Sequence, residues 1–452
     1  MAMIATTATI FDLLPFSPTA EQAQFLFEIG EFMETQEDFF ILRGSAGTGK
    51  TSITKAVVDY LTEKQIPCFL SAPTTRAARI IGRKTEREAR TLHSRIYLIE
   101  PLEDGRVKTS LKMNDDAQPT LYIIDESSMI SDIVTDEDKF ISTQGLLRNF
   151  LQYVKSGNKR NKVLFIGDVY QLPPIGYEAG QTPPALSDRY FREQFGFTGR
   201  TVELTDVKRQ AEGSVILQSA TSLRDSMRFG SSWHIDSERF WGLKGAVDGY
   251  LRAFNPSRLD SAVYIAPYHR SLSQFNKAVR QRIGYAGTLS IGDLVVFHQN
   301  FVGSEYTASN GDFGTVTELL SGVEHFGGLH FQQIKVEVTD ERGQAQCVEG
   351  KVCLEFIQAE KPELIREQEN TLYSEVMRTD KVFRDNKATQ KHLNPHLGAM
   401  RLRYGYGITG YKAQGSEFDT VLLNTWTPNG NHNLNFLYTG VTRARERLVC
   451  SA

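Results

Sequence analysis

The sequence predicts an α/β fold with two sheets, the second of them interrupted by a small antiparallel barrel. The first sheet is indicated by the apolar run 39–42, which leads through a glycine-rich turn into a helical pattern. The second is indicated by a strand–turn–helix pattern at 262–283 and a further strand at 417–426. Between them, residues 288–397 are dominated by glycine, valine and turn residues, which is typical of short antiparallel strands, and include a helix-prone stretch at 361–385. We therefore expect an inserted domain there.

The glycine-rich turn has the sequence GSAGTGKT and fits G-x-x-x-x-G-K-[ST] at every fixed position. Backbone N–H groups of such a turn bind phosphate oxygens, and the following helix, expected to open at Thr51, directs its positive N terminus at the same anion. Lys50 would neutralise the β- and γ-phosphates, and the Thr51 hydroxyl would bind Mg²⁺. The residues predicted to hold the nucleotide are Gly44, Ser45, Ala46, Gly47, Thr48, Gly49, Lys50 and Thr51.

A second motif, which is acidic, indicates the type of reaction. The run LYIIDESSM is an apolar strand that ends in Asp125 and Glu126. Ligands of open parallel sheets bind at the carboxyl ends of the strands, so both carboxylates are expected beside the glycine turn. Asp125 would hold Mg²⁺ and Glu126 would polarise an attacking water. A further strand, KVLFIGD, is followed by Gln171, which places an amide at the edge of the same pocket.

The composition argues against several other classes of protein, such as membrane, secreted and zinc proteins. The chain of 452 residues is 40% hydrophobic, and no apolar run approaches the ~20 residues of a membrane helix. The N terminus lacks the basic region of a secretory signal, which indicates the cytoplasm. The four cysteines form no C-x-x-C pair, which argues against zinc and fits a reduced compartment. The net charge of −3 means that any nucleic-acid surface must be a local groove.

One local excess of positive charge is present. Five arginines at helical spacing predict one basic stripe on a helix; they are Arg76, Arg79, Arg83, Arg87 and Arg90. The stripe is either a solvated helix face or a surface that binds a nucleic-acid backbone. Small hydroxyl residues flank it, in Pro73-Thr74 before and Thr91 to Ser94 after, and such groups hydrogen-bond phosphates without reading bases.

These motifs, taken in order, resemble those of the superfamily 1B helicases, in the branch that contains phage Dda and RecD-type enzymes. The segments that carry the resemblance are Thr19 to Gln22, GSAGTGKT, APTTRAAR, Thr91 to Ser94, DESSM, GDVYQLPPI, LTDVKRQ, ITGYKAQG and LYTGVTRARERL. The pair Gly410-Tyr411 departs from the Phe-His expected in the phage enzyme, which leaves the strand contact there open.

The resemblance implies roles for single residues. Gln22 would bind adenine, Gln171 would sense the γ-phosphate, and Arg209 and Arg443 would stabilise the transition state of hydrolysis. Gln414, with Gly415, would couple the nucleotide to the strand. The residues expected to contact DNA are Pro73, Thr74, Arg76, Arg79, Thr91, His93, Ser94, Thr409, Tyr411 and Lys412.

It also implies an architecture: two RecA-like P-loop domains, a β-hairpin insert in the first and an SH3-like β-barrel in the second. The expected boundaries are 1–200 with the hairpin at 96–118, then 201–287 with 398–452, and 288–397 for the barrel and helical extension. The hairpin, with a turn at Glu103 to Gly105 and an apolar arm at Ile96 to Ile99, would part a duplex.

The implied activity is an ATP- and Mg²⁺-dependent 5′-to-3′ DNA helicase that translocates on single-stranded DNA. Its partners would be single-stranded and forked DNA, with a single-strand-binding or replication protein as a further candidate and no membrane, and the chain would act as a monomer in a bacterial or phage-infected cytoplasm. Two alternatives remain open: an RNA-directed helicase of the same superfamily, and a P-loop protein that uses ATP as a switch without motor activity.

Overall fold

The structure, a computed structural model, describes residues 10–101, 107–134, 140–141, 144–206, 214–303, 306–340, 344–359, 363–385, 394–427 and 433–452. Arg209 and the expected hairpin turn at Glu103 to Gly105 lie outside these ranges. The chain divides into two compact units: Met1–Leu98, Thr109–Asp136 and Ser142–Ser214 form the first, and Ile99–Lys108, Glu137–Ile141 and Val215–Ala452 form the second.

The first part of the chain begins with a 3₁₀ turn at Ile10–Leu13. It continues with α1 Ala20–Glu34, β1 Phe39–Gly44, α2 Lys50–Glu63, β2 Cys68–Ala72, α3 Thr75–Thr85, β3 Ala89–Thr91, α4 Leu92–Ile96, β4 Tyr97–Pro101, β5 Val107–Leu111, β6 Leu121–Ile124, β7 Phe140–Ile141, α5 Leu146–Ser156, β8 Lys162–Gly167, α6 Asp188–Phe195 and β9 Gly199–Leu204. Two further 3₁₀ turns cover Ser127–Met129 and Pro184–Leu186.

Six of these strands form a parallel sheet in the order β3-β2-β6-β8-β1-β9. Strand β1 is buried on both faces, which explains its unbroken apolar sequence. Phe40 and Leu42 pack in one core layer, while Phe39 and Ile41 pack in the layer on the opposite face. A parallel sheet covered on both sides directs its strand ends, and the loops after them, to one edge.

Strands β4, β5 and β7 form a separate small sheet in which β5 and β7 run parallel. It occupies the region where the sequence predicts a hairpin insert. Ile96 and Tyr97, expected on the apolar arm of that hairpin, are instead 0% and 8% exposed in the core of the first unit. The Tyr97 hydroxyl accepts a hydrogen bond from Asn149 Nδ2 at 2.8 Å. The expectation that these two residues face a duplex is therefore wrong, because core packing and this hydrogen bond hold them inside.

The second part of the chain contains α7 Val215–Phe229, β10 Glu238–Phe240, α8 Gly242–Ala253, β11 Ala262–Ala266, α9 His269–Ile283, β12 Leu294–Phe297, β13 Phe301–Val302, β14 Thr307–Ala308, β15 Phe313–Leu319, β16 Glu324–Phe326, β17 Leu329–Thr339, β18 Ala345–Cys353, α10 Leu354–Gln358, α11 Arg366–Thr379, α12 Lys381–Asp385, β19 Leu402–Tyr404, β20 Gly407–Thr409, α13 Gly410–Ala413, β21 Phe418–Leu423, α14 Leu434–Val441 and β22 Ala444–Ser451.

A second parallel sheet has the order β10-β22-β21-β11-β20. Between β11 and β20 the chain forms an antiparallel sheet in the order β16-β17-β15-β12-β19, with β18 paired to β17. Because β19 pairs with β12, this sheet continues past residue 397, where the sequence places the end of the insert. Helices α11 and α12 pack through Leu372, Val376 and Phe383 against the apolar cluster of β17 and α10.

No helix of the described ranges is long and apolar enough to cross a membrane. The four cysteines are all free thiols.

Candidate functional site

The glycine turn joins the buried strand β1 to helix α2. Gly47 and Gly49 have φ angles of 84° and 81°, a left-handed conformation that glycine adopts at low cost. Gly49 is the N-cap residue of α2, so the helix opens at Lys50, one residue before the predicted start. This geometry points the unpaired N–H groups of the first helical turn toward the loop, as anion binding requires.

Lys50 closes this loop by hydrogen bonds to its backbone. Its Nζ donates to the carbonyl oxygens of Gly44 at 2.6 Å and Ser45 at 3.0 Å. Thr48 Oγ1 also donates to the Ser45 carbonyl, at 2.9 Å. The ammonium thus lies over the turn, and a bound phosphate would exchange neutral carbonyl partners for an anionic one.

Gln22 lies directly beneath the turn and is 2% exposed. Its Nε2 donates to the Thr48 carbonyl at 2.9 Å, and its Oε1 accepts from Thr19 N at 3.0 Å within the capping box of α1. A β-carbon placed on Gly49 would lie 2.7 Å from Gln22 Nε2. In this conformation Gln22 supports the loop, and its expected contact with adenine stays a prediction.

Asp125 and Glu126 follow β6 at the carboxyl edge of the sheet. Asp125 N donates to the Ser71 carbonyl at 3.0 Å, so the backbone stays tied to β2 for one residue past the strand. Glu126 then turns sharply, with φ 51° and ψ 38°, in the left-handed region. A non-glycine residue held there stores strain that surrounding structure must maintain, and such residues cluster at functional sites. The sequence gives no sign of this conformation, because the position is not glycine or asparagine, the residues that most often adopt it.

Burial raises the pKa of the Asp125 carboxyl, and the positive charges of Lys50 and Lys84 oppose that shift. The opposition shows that Asp125 and Lys50 lie within electrostatic range of one another. A buried carboxylate within electrostatic range of the phosphate-loop lysine fits Mg²⁺, which uses few protein ligands and retains several waters.

Gln171 comes from the loop after β8, the strand between β6 and β1. It is 4% exposed, and its backbone N–H donates to the Asp168 carbonyl at 3.4 Å. The order of the strands therefore brings the ends of β6, β8 and β1 together, with Gln171 in the middle position. This is the part of the predicted site that the first sheet assembles.

Arg443 belongs to the second unit, between α14 and β22, and is 5% exposed. Its guanidinium donates to Thr439 O at 3.2 Å, Ser416 O at 3.1 Å and Thr442 Oγ1 at 3.1 Å. All three acceptors are neutral, so within the described ranges these bonds orient the guanidinium without pairing it with a carboxylate. Gln414 and Gly415 follow α13 nearby in sequence; Gln414 is 4% exposed and Gly415 has φ 69°.

The predicted stripe of five arginines on one helix is wrong. Helix α3 ends at Thr85, and Glu86 caps it with φ 57°. Arg87 lies beyond the helix, where its Nη2 donates to Thr62 Oγ1 at 3.0 Å, and Arg90 is on β3, paired with Glu88. The left-handed cap turns the chain back toward the sheet, so only Arg76, Arg79 and Arg83 share the helix.

The hydroxyls that flank the helix act as caps in the structure. Thr74 Oγ1 accepts from Ala77 N at 3.2 Å after the half-buried Pro73, and Thr91 Oγ1 accepts from Ser94 N at 3.1 Å. The neighbouring His93 is exposed. Lys112 was missed from the sequence, where nothing distinguishes it, and its Nζ donates to the Ser94 carbonyl at 2.5 Å. This part of the predicted contact surface therefore carries one more cation.

In the second unit, Thr409 caps α13 by accepting from Lys412 N at 3.2 Å, which leaves Tyr411 37% exposed. Lys412 Nζ donates to Asn310 Oδ1 at 2.6 Å. Burial lowers the pKa of Lys412 to about 8, so a nearby anion would stabilise its charged form.

Comparison with known proteins gives two family matches. An AAA domain family matches residues 19–229, and a UvrD-like helicase C-terminal domain family matches residues 404–450. The chain is 33% identical over 185 residues to the ATP-dependent RecD2 DNA helicase of Deinococcus radiodurans, covering 40% of this chain and 21% of that protein. It is 28% identical over 217 residues to the ATP-dependent DNA helicase dda of Enterobacteria phage T4, covering 47% of this chain and 41% of that protein.

The resemblance to RecD-type and Dda helicases that the motifs indicate is thus confirmed, although the chain spans less than half the length of these relatives. Among solved structures, the Pif1 helicase from Bacteroides in complex with ADP-AlF3 and single-stranded DNA matches with a TM-score of 0.51 and 17% identity, covering 97% of this chain and 93% of that chain. The α/β fold with two parallel sheets is shared with that structure.

Proposed function

We propose that this chain is an ATP-dependent DNA helicase of superfamily 1B that translocates 5′ to 3′ on single-stranded DNA. The observation that carries the proposal is a pair of charge arrangements. The first unit has a phosphate loop with adjacent carboxylates, and in the second the buried Arg443 guanidinium donates to neutral oxygens among the described residues. An anionic nucleotide would satisfy the first arrangement, and the resemblance assigns Arg443 to the same reaction.

Different residues of the chain would have different roles in ATP hydrolysis. The loop N–H groups and Lys50 would bind the β- and γ-phosphates, while Thr51 and Asp125 would hold Mg²⁺, which supplies charge neutralisation when bound. Glu126 would accept the proton of the attacking water, and its strained turn would fix the direction of the carboxylate. Gln171 would report the presence of the γ-phosphate from between these groups.

Arg443 would stabilise the negative charge that spreads over the transferred phosphoryl group. Its three hydrogen bonds fix the planar fork before ATP arrives, so little reorganisation is needed during the reaction. Arg209 is proposed for a similar role on the resemblance alone. Gln414 and Gly415 would transmit the nucleotide state to the strand-binding residues that follow Thr409.

The DNA contacts proposed are those of the α3 and α4 caps and of α13. Cap hydroxyls and half-buried arginines suit a phosphate backbone, so we expect affinity to fall steeply with salt and to depend little on base sequence. Several further proposals rest on the resemblance. They are the 5′-to-3′ polarity, action on forked DNA, the monomeric state, an SH3-like fold of the inserted sheet, and the domain boundaries at residues 200, 287 and 397.

Steady-state ATP turnover with and without single-stranded DNA tests the proposal. We expect poly(dT) to stimulate turnover strongly, with Lys50→Ala as a control that shows no turnover in either condition. Stimulation by poly(U) alone would support the RNA-directed alternative. Turnover that neither polymer changes would overturn the motor assignment in favour of an ATP switch.

A further inference from the structure

The carboxylate of Glu21 binds the segment that follows strand β9. Its Oε2 accepts hydrogen bonds from Thr205 N at 2.6 Å and from Asp206 N at 2.9 Å. Its Oε1 accepts a hydrogen bond from the Thr205 hydroxyl. Glu21 lies in the first turn of α1, far from Thr205 in the sequence, so these bonds are tertiary contacts within the first unit. Hydrogen bonds to an ionised acceptor are about twice as strong as those between neutral groups.

Strand β9 is an edge strand of the first parallel sheet and pairs with β1. Its last residue, Leu204, is opposite Gly44, the first residue of the phosphate loop. Because an edge strand has a neighbouring strand on one side only, the sheet by itself does little to fix the chain beyond Leu204. The Glu21 carboxylate supplies this fixation directly beside the phosphate loop.

The residue after Glu21 holds the phosphate loop itself. Gln22 Nε2 donates to the Thr48 carbonyl at 2.9 Å. The capping box between Thr19 and Gln22 fixes the conformation of this first turn of α1. Two neighbouring side chains of one helical turn therefore connect the phosphate loop to the end of β9, and the positions of both depend on this turn.

We propose that Glu21 is a positioning residue for ATP hydrolysis, which sets the direction in which the chain leaves β9 relative to the phosphate loop. This inference rests on the proposed function and extends it to a residue to which the resemblance assigns no role. The chain reaches Arg209 three residues after Asp206, and Arg209, which lies outside the described ranges, is proposed to stabilise the transition state. Misplacement of a reacting or catalytic group by about 1 Å can cost about 10²-fold in rate, even when the mutated residue is distant from the reacting atoms.

Steady-state ATP turnover of the full chain, measured with saturating poly(dT), tests the role of Glu21. Glu21→Ala removes all three hydrogen bonds, so kcat should fall about 10²-fold while KM for ATP changes by less than about threefold. Glu21→Gln should keep kcat within about threefold of wild type, because its amide oxygen can accept from both backbone N–H groups and its NH₂ group can donate to the Thr205 hydroxyl. Glu28→Ala is a matched control on the same helix, where Glu28 accepts from Gln24 Nε2 at 2.8 Å, and it should change neither parameter.

A double-mutant cycle with Arg209→Ala separates positioning from a general loss of structure. If Glu21 acts through Arg209, Glu21→Ala should lower kcat in the wild-type chain and should have little further effect in the Arg209→Ala chain. Single-turnover hydrolysis measures the slower variants. Thermal unfolding of each variant checks that the fold is retained. If Glu21→Ala is poorly folded, Glu21→Asp keeps the charge at the N terminus of α1 but withdraws the carboxylate by one methylene, and it should lower kcat about tenfold.

Four outcomes would overturn the positioning role. A kcat of Glu21→Ala equal to that of Glu28→Ala, an effect confined to KM, or independent effects of Glu21→Ala and Arg209→Ala in the cycle would remove it while the proposed function stands. An Arg209→Ala chain with wild-type kcat would overturn the role of Arg209 in the proposed function, and the positioning role with it.

Discussion

At the scale of single residues, the site depends on conformations and partners more than on residue type. Glu126 has a left-handed backbone, Gly49 has no room for a side chain above Gln22, and Arg443 donates to neutral oxygens among the described residues. The left-handed backbone of Glu126 costs stability that the surrounding structure must offset. Two predictions belong to this scale.

Glu126→Gln should retain ATP binding and lose about 10²- to 10⁴-fold in kcat, because the amide keeps the shape of the side chain and cannot accept the proton of water. Single-turnover hydrolysis and equilibrium binding of a fluorescent ATP analogue check the two parts separately. Glu203→Gln is a control carboxylate at the end of β9, expected to leave kcat unchanged. A Glu126→Gln variant with near wild-type kcat would mean that another group activates the water.

Arg443→Ala should lower kcat by about 10³-fold or more with a smaller change in KM, since the guanidinium would act mainly on charge that develops in the transition state. Steady-state kinetics at saturating DNA checks the division between the two parameters. Arg447→Ala removes a nearby exposed arginine that pairs with Glu238, and it should change neither parameter. An effect confined to KM would make Arg443 a binding contact for ATP.

At the scale of elements, a buried ion pair fixes the junction between the second parallel sheet and its antiparallel insert. Arg280 of α9 and Asp293, just before β12, are 7% and 0% exposed and form a two-pronged pair at 2.8 and 3.0 Å. Arg280 Nη1 also donates to the Gly287 carbonyl at 2.8 Å. The Tyr406 hydroxyl, on the returning chain, donates to Asp293 Oδ1 at 2.8 Å. The buried Asp293 carboxylate thus binds both the segment that leads into the antiparallel insert and the segment that returns from it.

Arg280→Met should destabilise the chain by about 3–5 kcal/mol, because it leaves the Asp293 carboxylate buried without its cation. Urea unfolding followed by tyrosine and tryptophan fluorescence measures the loss. Arg282→Met removes an exposed arginine of the same helix that pairs with Asp248 at 3.5 Å, and a change below about 1 kcal/mol is expected for it. Equal stability losses in the two variants would show that the buried pair has no special role at the junction.

At the scale of the whole molecule, each unit has its own parallel sheet and its own core, while the proposed reaction uses residues of both. The proposed motor would convert nucleotide turnover into movement along a strand. Duplex separation would then require an additional element that has no part in phosphate chemistry. The small sheet of β4, β5 and β7 is our candidate for its base.

If the proposed function holds, replacement of residues 103–106 by a Gly-Ser turn should leave DNA-stimulated ATP turnover and the proposed translocation nearly intact and should sharply reduce strand separation. The replacement preserves Ile96 and Tyr97, which are core residues, so the fold of the first unit is expected to survive. Unwinding of a forked duplex and displacement of streptavidin from single-stranded DNA give the two readouts. A parallel fall of both activities, or no change in either, would move the search for the separating element to the antiparallel insert.

The local sequence by itself determined the phosphate loop, the strand that ends in Asp125 and Glu126, and the presence of two parallel sheets. Glycine spacing, apolar runs and carboxylates at strand ends are properties of a few consecutive residues, so they can be read without knowledge of distant contacts. The tertiary structure alone decided the left-handed turn at Glu126, the end of α3 at Thr85, the burial of Ile96 and Tyr97, and the pairing of β12 with β19. These features depend on what the rest of the chain packs against each segment, and that packing overrides local helix periodicity and local apolar patterning.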